Sequence, residues 1–185
     1  MVGIIIALVA LLMLRPFQKE DVDTSNMTID EVSSYGFYAY ILPDEIIESR
    51  GWTQTISMVS LDSHCRQIDT IYRENPIWIA YQDGTSRAPF FIAIAPTYSH
   101  SYNGNWTSET SEVEASFDPH LGVEYYIGDS GHLALKFVDD IGMQVVVNAW
   151  QDKLSVDEVM ILISQLEYAG SNRDTLGNPW DNVCE

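Results

Sequence analysis

Residues 154–166 read Leu-Ser-Val-Asp-Glu-Val-Met-Ile-Leu-Ile-Ser-Gln-Leu, and this stretch decides the fold. Ser155 and Glu158 have the Ser-x-x-Glu spacing of a capping box, in which each side chain satisfies a backbone N–H of the other residue. An apolar face recurs at helical spacing and consists of Val159, Leu162, Ile163 and Leu166. Gly170 stands where a C′ glycine would end the helix. We therefore predict one amphipathic helix near the end of the chain.

Short runs rich in aromatic and β-branched residues fill most of the sequence before this helix. They lie at residues 35–42, 53–61, 66–73, 77–82, 90–95, 112–117, 122–127, 132–138 and 143–150. Because the runs do not alternate with helical segments, they favour an antiparallel sheet. We predict an α+β fold, mainly antiparallel β: a curved sheet or half-open barrel covered by the late amphipathic helix, plus an N-terminal apolar helix.

The connections between these runs carry recognisable turn residues. Asp83-Gly84 and Gly128-Asp129-Ser130-Gly131 are typical of tight turns, and we interpret Asp139-Asp140-Ile141-Gly142 as a second hairpin turn. Residues 44–50 have room for one or two helical turns that Gly51 would stop. Residues 96–111 are rich in Tyr, Ser, Asn and Gly, and they predict a long loop or an irregular hairpin.

The start of the chain is apolar and uncharged from residue 2 to residue 14. A membrane-spanning helix needs roughly 20 apolar residues, so this run is short. No basic residue precedes it and no small-x-small cleavage site follows it, which favours an uncleaved anchor over a cleaved signal peptide or a buried helix. The predicted anchor residues are Ile4, Ile5, Ile6, Leu8, Leu11, Leu12 and Leu14.

We therefore expect four parts: a membrane anchor helix at 1–17, an acidic linker at 18–34, a β-rich globular domain at 35–170 and a polar tail at 171–185. Arg15 and Lys19 follow the anchor and would favour a cytoplasmic domain under the positive-inside rule. The acidic composition of the remainder instead suits an extracytoplasmic domain. We expect an extracytoplasmic domain, and the opposite orientation is the alternative that Arg15 and Lys19 favour.

The chain is strongly acidic, with 27 acidic and 9 basic residues and a formal net charge of −18. Neutralising phosphates requires clusters of Lys and Arg, so this charge argues against a nucleic-acid partner. It predicts repulsion from anionic surfaces and attraction to cations or basic proteins. The expected partners are a membrane, through the N-terminal helix, and another protein.

The residue types that carry chemistry form no catalytic pattern in this sequence. Cys65 and Cys184 allow either one disulfide, if the domain is extracytoplasmic, or two unpaired thiols. His64 and Cys65 are consecutive, so on a strand they would point to opposite faces and are poorly placed to share a metal ion. We predict no catalytic residue, no metal site and no cofactor.

Four aromatic side chains are grouped in the longest predicted loop. Tyr and Trp give a binding surface large contact area at low entropic cost. An alternative is that these rings pack over an edge of the sheet. The candidate partner-binding residues are Tyr98, His100, Tyr102 and Trp106.

Two sets of positions resemble a known domain. The first is Leu42-Pro43 followed by Gly51-Trp52 and Ile71-Tyr72-Arg73; the second is residues 132–137, residues 143–150 and Leu154-Ser155-Val156-Asp157-Glu158-Val159. Together they are similar to an extracytoplasmic domain of unknown function in bacterial anti-sigma-factor-like membrane proteins with a single helix. The resemblance covers roughly residues 35–168. It implies a β domain outside the membrane after one helix, and it implies no chemistry.

The leading hypothesis is a non-enzymatic, membrane-anchored, extracytoplasmic module for binding, sensing or assembly. One alternative is an accessory subunit of a larger membrane complex or surface filament. Another is a secreted hydrolase in which two carboxylates act as general acid and general base.

Overall fold

The computed structural model describes residues 26–34, 38–58, 77–95, 106–140 and 144–170. Three short helices lie in these ranges: α1 (Ile29–Ser34), α2 (Asp44–Arg50) and α3 (Val156–Ser164). The strands are β1 (Tyr38–Ile41), β2 (Thr53–Met58), β3 (Ile77–Gln82), β4 (Phe90–Ala95), β5 (Trp106–Val113), β6 (Leu121–Gly128), β7 (His132–Val138), β8 (Gln144–Trp150) and β9 (Glu167–Gly170). The predicted mainly antiparallel β fold with a late helix is confirmed.

The strands form one large open sheet and one small sheet. The large sheet has the order β2-β3-β4-β8-β7-β6-β5, and β1 pairs with β9 in the small one. All these pairs are antiparallel. The large sheet does not close, so among the described strands β2 and β5 are its two edges. On the outer side of β2, Met27 forms an isolated bridge to Ile56.

One face of the large sheet supplies most of the hydrophobic core. Its central strands contribute the fully buried side chains Phe90, Ile92, Leu133, Leu135, Val145 and Val147. Every second residue of a strand points to the same face, so these positions line one side of the sheet. Helix α3 and the β1–β9 pair contribute to the same core, with Val159, Leu162 and Tyr40 among their buried side chains.

Helix α3 begins where the sequence predicts, but it ends before the predicted C-terminal residue. The Ser155 side chain accepts a hydrogen bond from Glu158 N–H, and the Glu158 carboxylate accepts one from Ser155 N–H, which completes the capping box. The helix ends at Ser164, with Gln165 as its C-cap. The prediction that Gly170 ends the helix was therefore wrong. Residues 167–170 instead form a strand, because pairing with β1 satisfies their backbone groups.

Two other helices occupy the first described residues. Helix α2 matches the predicted turns and ends at Gly51, whose φ of 64° suits glycine. Helix α1 lies in the segment predicted to be a linker, and its Val32 is fully buried in the core. Thr28 and Glu31 cap this helix reciprocally: Thr28 N–H donates to Glu31 Oε2 at 2.7 Å, and Glu31 N–H donates to Thr28 Oγ1 at 3.2 Å.

The predicted turn at Gly128–Gly131 is confirmed. Gly131 N–H donates to Gly128 C=O at 2.8 Å, and the Gly131 φ of 75° requires a residue without a Cβ. Asp83-Gly84 also lies in a turn: Asp83 Oδ1 accepts a hydrogen bond from Thr85 N–H, and Gly84 has a φ of 79°.

The main departure from the predicted pattern concerns residues 106–117. The sequence predicts a long loop or an irregular hairpin up to residue 111 and a strand over residues 112–117, but β5 spans Trp106–Val113. Residues 114–120 connect it to β6. The strand is polar on both faces, so it lacks the apolar alternation by which strands are recognised. Pairing with β6 along its whole length explains why it is a strand.

Some predictions fall outside the described ranges. They concern the anchor at 1–17, the run at 66–73, the tail at 171–185 and both cysteines. Within the described residues, no helix is long and apolar enough to cross a membrane.

Candidate binding surface

Three of the four residues predicted to bind a partner precede β5 in the sequence, and the fourth begins it. Tyr98, His100 and Tyr102 are outside the described ranges, and Trp106 is the first residue of β5. The one described member of the predicted aromatic patch, Trp106, therefore belongs to an edge strand of the large sheet. Sequence reasoning did not identify this strand as a surface.

Strand β5 is an exposed edge. Its residues pair with β6 from Trp106 opposite Gly128 to Val113 opposite Leu121. Residues 107–112 are all exposed, and among the described strands none pairs with the other side of β5. In an antiparallel edge strand, alternate residues direct N–H and C=O away from the neighbouring strand. An eight-residue edge such as β5 therefore offers about four outward-facing backbone pairs to another chain.

The two glutamates of β5 lie on opposite faces of the sheet. Glu109 is opposite Tyr125, and its carboxylate accepts a hydrogen bond from the Tyr125 hydroxyl. This hydrogen bond, together with burial, raises the pKa of Tyr125 because a phenolate beside a carboxylate is disfavoured. Glu112 is opposite Gly122, where an added Cβ would meet nothing within 4 Å. Open space therefore lies beside Glu112 on the β6 side.

The charge on the next strands is partly compensated. Glu124 on β6 forms an ion pair with Lys136 on β7, with 2.7 Å between Nζ and Oε2. The Lys136 hydrogen bond lowers the pKa of Glu124, with a smaller contribution from Tyr126. Neither ion pair within the described residues includes a glutamate of β5. The negative charge of the edge is thus carried by Glu109 and Glu112.

The C-terminal end of β5 is attached to the core. Val113 and Ala115 are buried at 8% and 7% exposure. Ser116 Oγ donates a hydrogen bond of 2.5 Å to the C=O of Leu166, the residue between α3 and β9. These contacts attach the C-terminal end of the exposed strand to the hydrophobic core and to the residues that follow α3.

The face of the sheet opposite the core carries a stacked group where β7 begins and β8 ends. The rings of His132 and Trp150 are 4.9 Å apart and nearly parallel, and the Arg87 guanidinium lies 4.6 Å from the Trp150 ring centre. Burial lowers the pKa of His132, and a hydrogen bond with Asn148 partly opposes this effect. The partners of Trp150 thus belong to the protein itself, which makes the group a structural stack.

A buried hydrogen-bonded carboxylate lies beyond the end of β7. Asp139 is 4% exposed, and its Oδ2 accepts hydrogen bonds of 2.7 Å from the hydroxyls of both Tyr38 and Tyr40. The ring of Tyr40 also packs 4.4 Å from that of Phe117. This arrangement joins β1 to the end of β7, and its carboxylate is almost fully buried.

The sequence also places acids near two histidines, Asp118 near His120 and Asp129 near His132, and the structure gives Asp118 a local role. Asp118 Oδ1 accepts a hydrogen bond of 3.1 Å from the backbone N–H of His120, as in an Asx turn. His132 stacks on Trp150. Within the described residues, no group of three or more His, Cys, Asp or Glu side chains is arranged to hold a metal ion.

Comparisons of the chain with protein-family models, with curated proteins and with solved structures found no match. The assignment of β5 as a candidate binding surface therefore depends on the geometry of this strand and its neighbours. The signal that would have found it in the sequence is weak. Thr107-Ser108-Glu109-Thr110-Ser111-Glu112 contains two β-branched residues and no apolar side chain.

Proposed function

We propose that this chain is a non-enzymatic, membrane-anchored binding or assembly module whose β domain faces outside and adds a strand of a partner protein to the β5 edge. In this mode, main-chain hydrogen bonds supply affinity and alternate side chains supply specificity. The observation that carries the proposal is the exposure of residues 107–112 on the terminal strand of an open sheet.

The anchor belongs to the same proposal. The apolar residues 2–14 would form the N-terminal helix that holds the domain at a membrane, as in the single-helix proteins that the sequence resembles. A sheet curved around α3, the finer architecture expected from the sequence, would leave β5 at its rim. An accessory-subunit role in a membrane complex would use the same surface.

The carboxylates with shifted pKa values give no support to the hydrolase alternative. A general acid needs a raised pKa near neutral pH. The pKa values of Glu31, Asp83, Glu124 and Glu158 are all lowered, in each case chiefly by hydrogen bonds to the ionised form. These four groups therefore remain ionised at neutral pH.

A photo-crosslinking experiment in native membranes tests this function. A photoactivatable residue replaces Thr110 in the full-length chain, and the control carries the same residue at Ile161, which is 53% exposed on α3. We expect a protein adduct of defined mass from position 110 and none from position 161. Equal adducts from both positions, or none from position 110, would contradict the proposal.

Proline substitutions identify the backbone side that binds. Thr107 and Ser108 are consecutive in β5 and leave position 110 free for the photoactivatable residue. One of them directs its N–H towards β6 and the other directs it outward. Proline is tolerated in an edge strand only where the N–H faces away from the sheet. We expect one of the two variants to keep the wild-type melting temperature and to lose the adduct. A variant that keeps both would overturn binding by strand addition.

A further inference from the structure

The charges of β5 indicate what kind of strand it binds. We propose that the partner strand carries lysine or arginine at two positions three residues apart, one facing Glu109 and the other facing Glu112. This inference rests on the proposed function, because it concerns the occupant of the same edge.

The spacing follows from the geometry of a strand pair. Residues opposite each other in neighbouring strands point to the same face and have Cβ atoms roughly 5 Å apart. Glu109 and Glu112 are three positions apart, so they lie on opposite faces of the sheet. A partner strand therefore matches both only if its two basic residues are also three positions apart.

The surroundings of the two glutamates leave them available for such pairs. Glu109 is oriented by the hydrogen bond from Tyr125, which occupies only part of the acceptor capacity of its carboxylate. Glu112 has the side-chain-free Gly122 opposite it on β6. A long basic side chain on the outer side of β5 can therefore reach both carboxylates without displacing any residue that the structure describes.

The same charges argue against a second copy of the chain as the occupant. If residues 108–113 of two copies paired antiparallel with each other, Glu109 of each copy would lie opposite Glu112 of the other. Like charges directly opposite each other destabilise a strand pair. Charged edges of this kind are a known protection against self-association. In this register the two Glu–Glu pairs disfavour self-pairing, whereas a basic strand would form two favourable pairs.

The overall charge of the chain also favours a basic partner. A net charge of −18 attracts a basic partner and repels an acidic one before contact. This attraction is screened over about 8 Å at physiological ionic strength, so it acts mainly on the rate of association. The choice between basic and neutral strands must therefore come from the direct pairs at Glu109 and Glu112.

Synthetic strand peptides test the inference on the full-length chain in detergent micelles. Three fluorescent octapeptides have the same alternating Thr-Val frame and carry two Lys, two Thr or two Glu residues three positions apart. Fluorescence anisotropy at physiological ionic strength, where long-range attraction is screened, gives each dissociation constant. We expect the Lys peptide to bind about two- to fivefold more tightly than the Thr peptide for each pair formed, and the Glu peptide to bind most weakly.

A charge-reversed variant provides the matched control. In the double variant Glu109→Lys and Glu112→Lys, the chain remains strongly acidic overall, so non-specific attraction to the Lys peptide persists. We expect the preference to reverse, with the Glu peptide bound most tightly. If the Lys peptide remains the best ligand of this variant, its attraction is non-specific and the inference is wrong.

Two failures of the experiment have different meanings. If all three peptides bind equally, and binding is lost in the proline variant that keeps the wild-type melting temperature, strand addition stands and the basic partner is overturned. If none of the peptides binds, strand addition itself is overturned, and the proposed function fails with it.

Discussion

The hydroxyl of Tyr40 donates a hydrogen bond of 2.7 Å to Asp139 Oδ2, across 99 positions of sequence. Tyr38 donates to the same oxygen at the same distance. The carboxylate thus links β1, in the small sheet, to the end of β7, in the large one. This link is buried, so its loss should affect stability strongly.

We expect Asp139→Ala to lower the free energy of unfolding by about 2–4 kcal/mol, because it removes a buried acceptor of two hydrogen bonds. Tyr40→Phe should cost about 1 kcal/mol, since it removes one donor and leaves the ring packing intact. Urea unfolding of both single variants and of the double variant measures the coupling. Additive effects of the two changes would show that the hydrogen bond contributes no coupling energy.

Ser155→Ala should destabilise the fold by about 1 kcal/mol, because the capping box of α3 loses its side-chain acceptor. Ser155→Asp is the matched control: an aspartate also accepts at the N-cap, so we expect it to retain most of the stability. Thermal unfolding followed by circular dichroism compares the two. Equal losses in both variants would show that the site responds to any substitution.

The unfolding of the chain at alkaline pH should depend on Tyr81. Burial raises the pKa of Tyr81 to about 12, opposed by hydrogen bonds from Leu42 N–H and Gln54 Nε2. In the unfolded chain tyrosine ionises near pH 10, so the stability due to this shift is fully present below pH 10 and is lost as the pH rises towards 12.

We therefore expect Tyr81→Phe to be less stable than wild type at neutral pH and the difference to shrink by roughly 2 kcal/mol between pH 10 and pH 12. Tyr125→Phe, at a partly exposed position, is the comparison. Denaturant titrations at fixed pH values give the differences. A constant gap between wild type and Tyr81→Phe over this range contradicts the assignment.

Acid should weaken the contact between the β3–β4 and β8–α3 connections. Hydrogen bonds from Thr85 and then Lys153 lower the pKa of Asp83 to about 2, and Lys153 Nζ lies 3.0 Å from Asp83 Oδ2. Because the pKa is depressed on folding, this stabilisation is present above pH 4 and is lost as the pH falls towards 2.

In Asp83→Asn, the melting temperature should fall less steeply over the same interval, from pH 4 to pH 2. The pair is partly exposed, so we expect only a small effect at neutral pH. Differential scanning calorimetry of wild type and variant measures both quantities. If the melting temperatures of wild type and variant fall by the same amount from pH 4 to pH 2, Asp83 is not the group whose titration destabilises the fold.

Local signals explain the elements that the sequence predicts well. The capping box at Ser155 and Glu158 depends on residues three positions apart, so it can be identified without knowledge of the fold. The same holds for Gly51 and for the turn at Gly128–Gly131, where positive φ angles need glycine.

Contacts between distant segments explain what the sequence does not predict. β9 is a strand because β1 lies beside it, although its residues continue a helical apolar pattern. β5 is a strand because β6 offers a full ladder of partners. Asp139 was expected in an ordinary turn, and only the fold brings Tyr38 and Tyr40 to its carboxylate.

The ladder between β4 and β8, with Ile92 opposite Val147, joins two groups of strands that are otherwise consecutive in the chain. Hairpins between neighbouring strands form in roughly 1–10 μs, whereas the entropic cost of loop closure grows with the length of the loop between the paired segments. Among the pairings of the large sheet, the docking of β8 on β4 should therefore be the slowest. Until it occurs, both strands expose apolar edges, and refolding yield should fall as protein concentration rises.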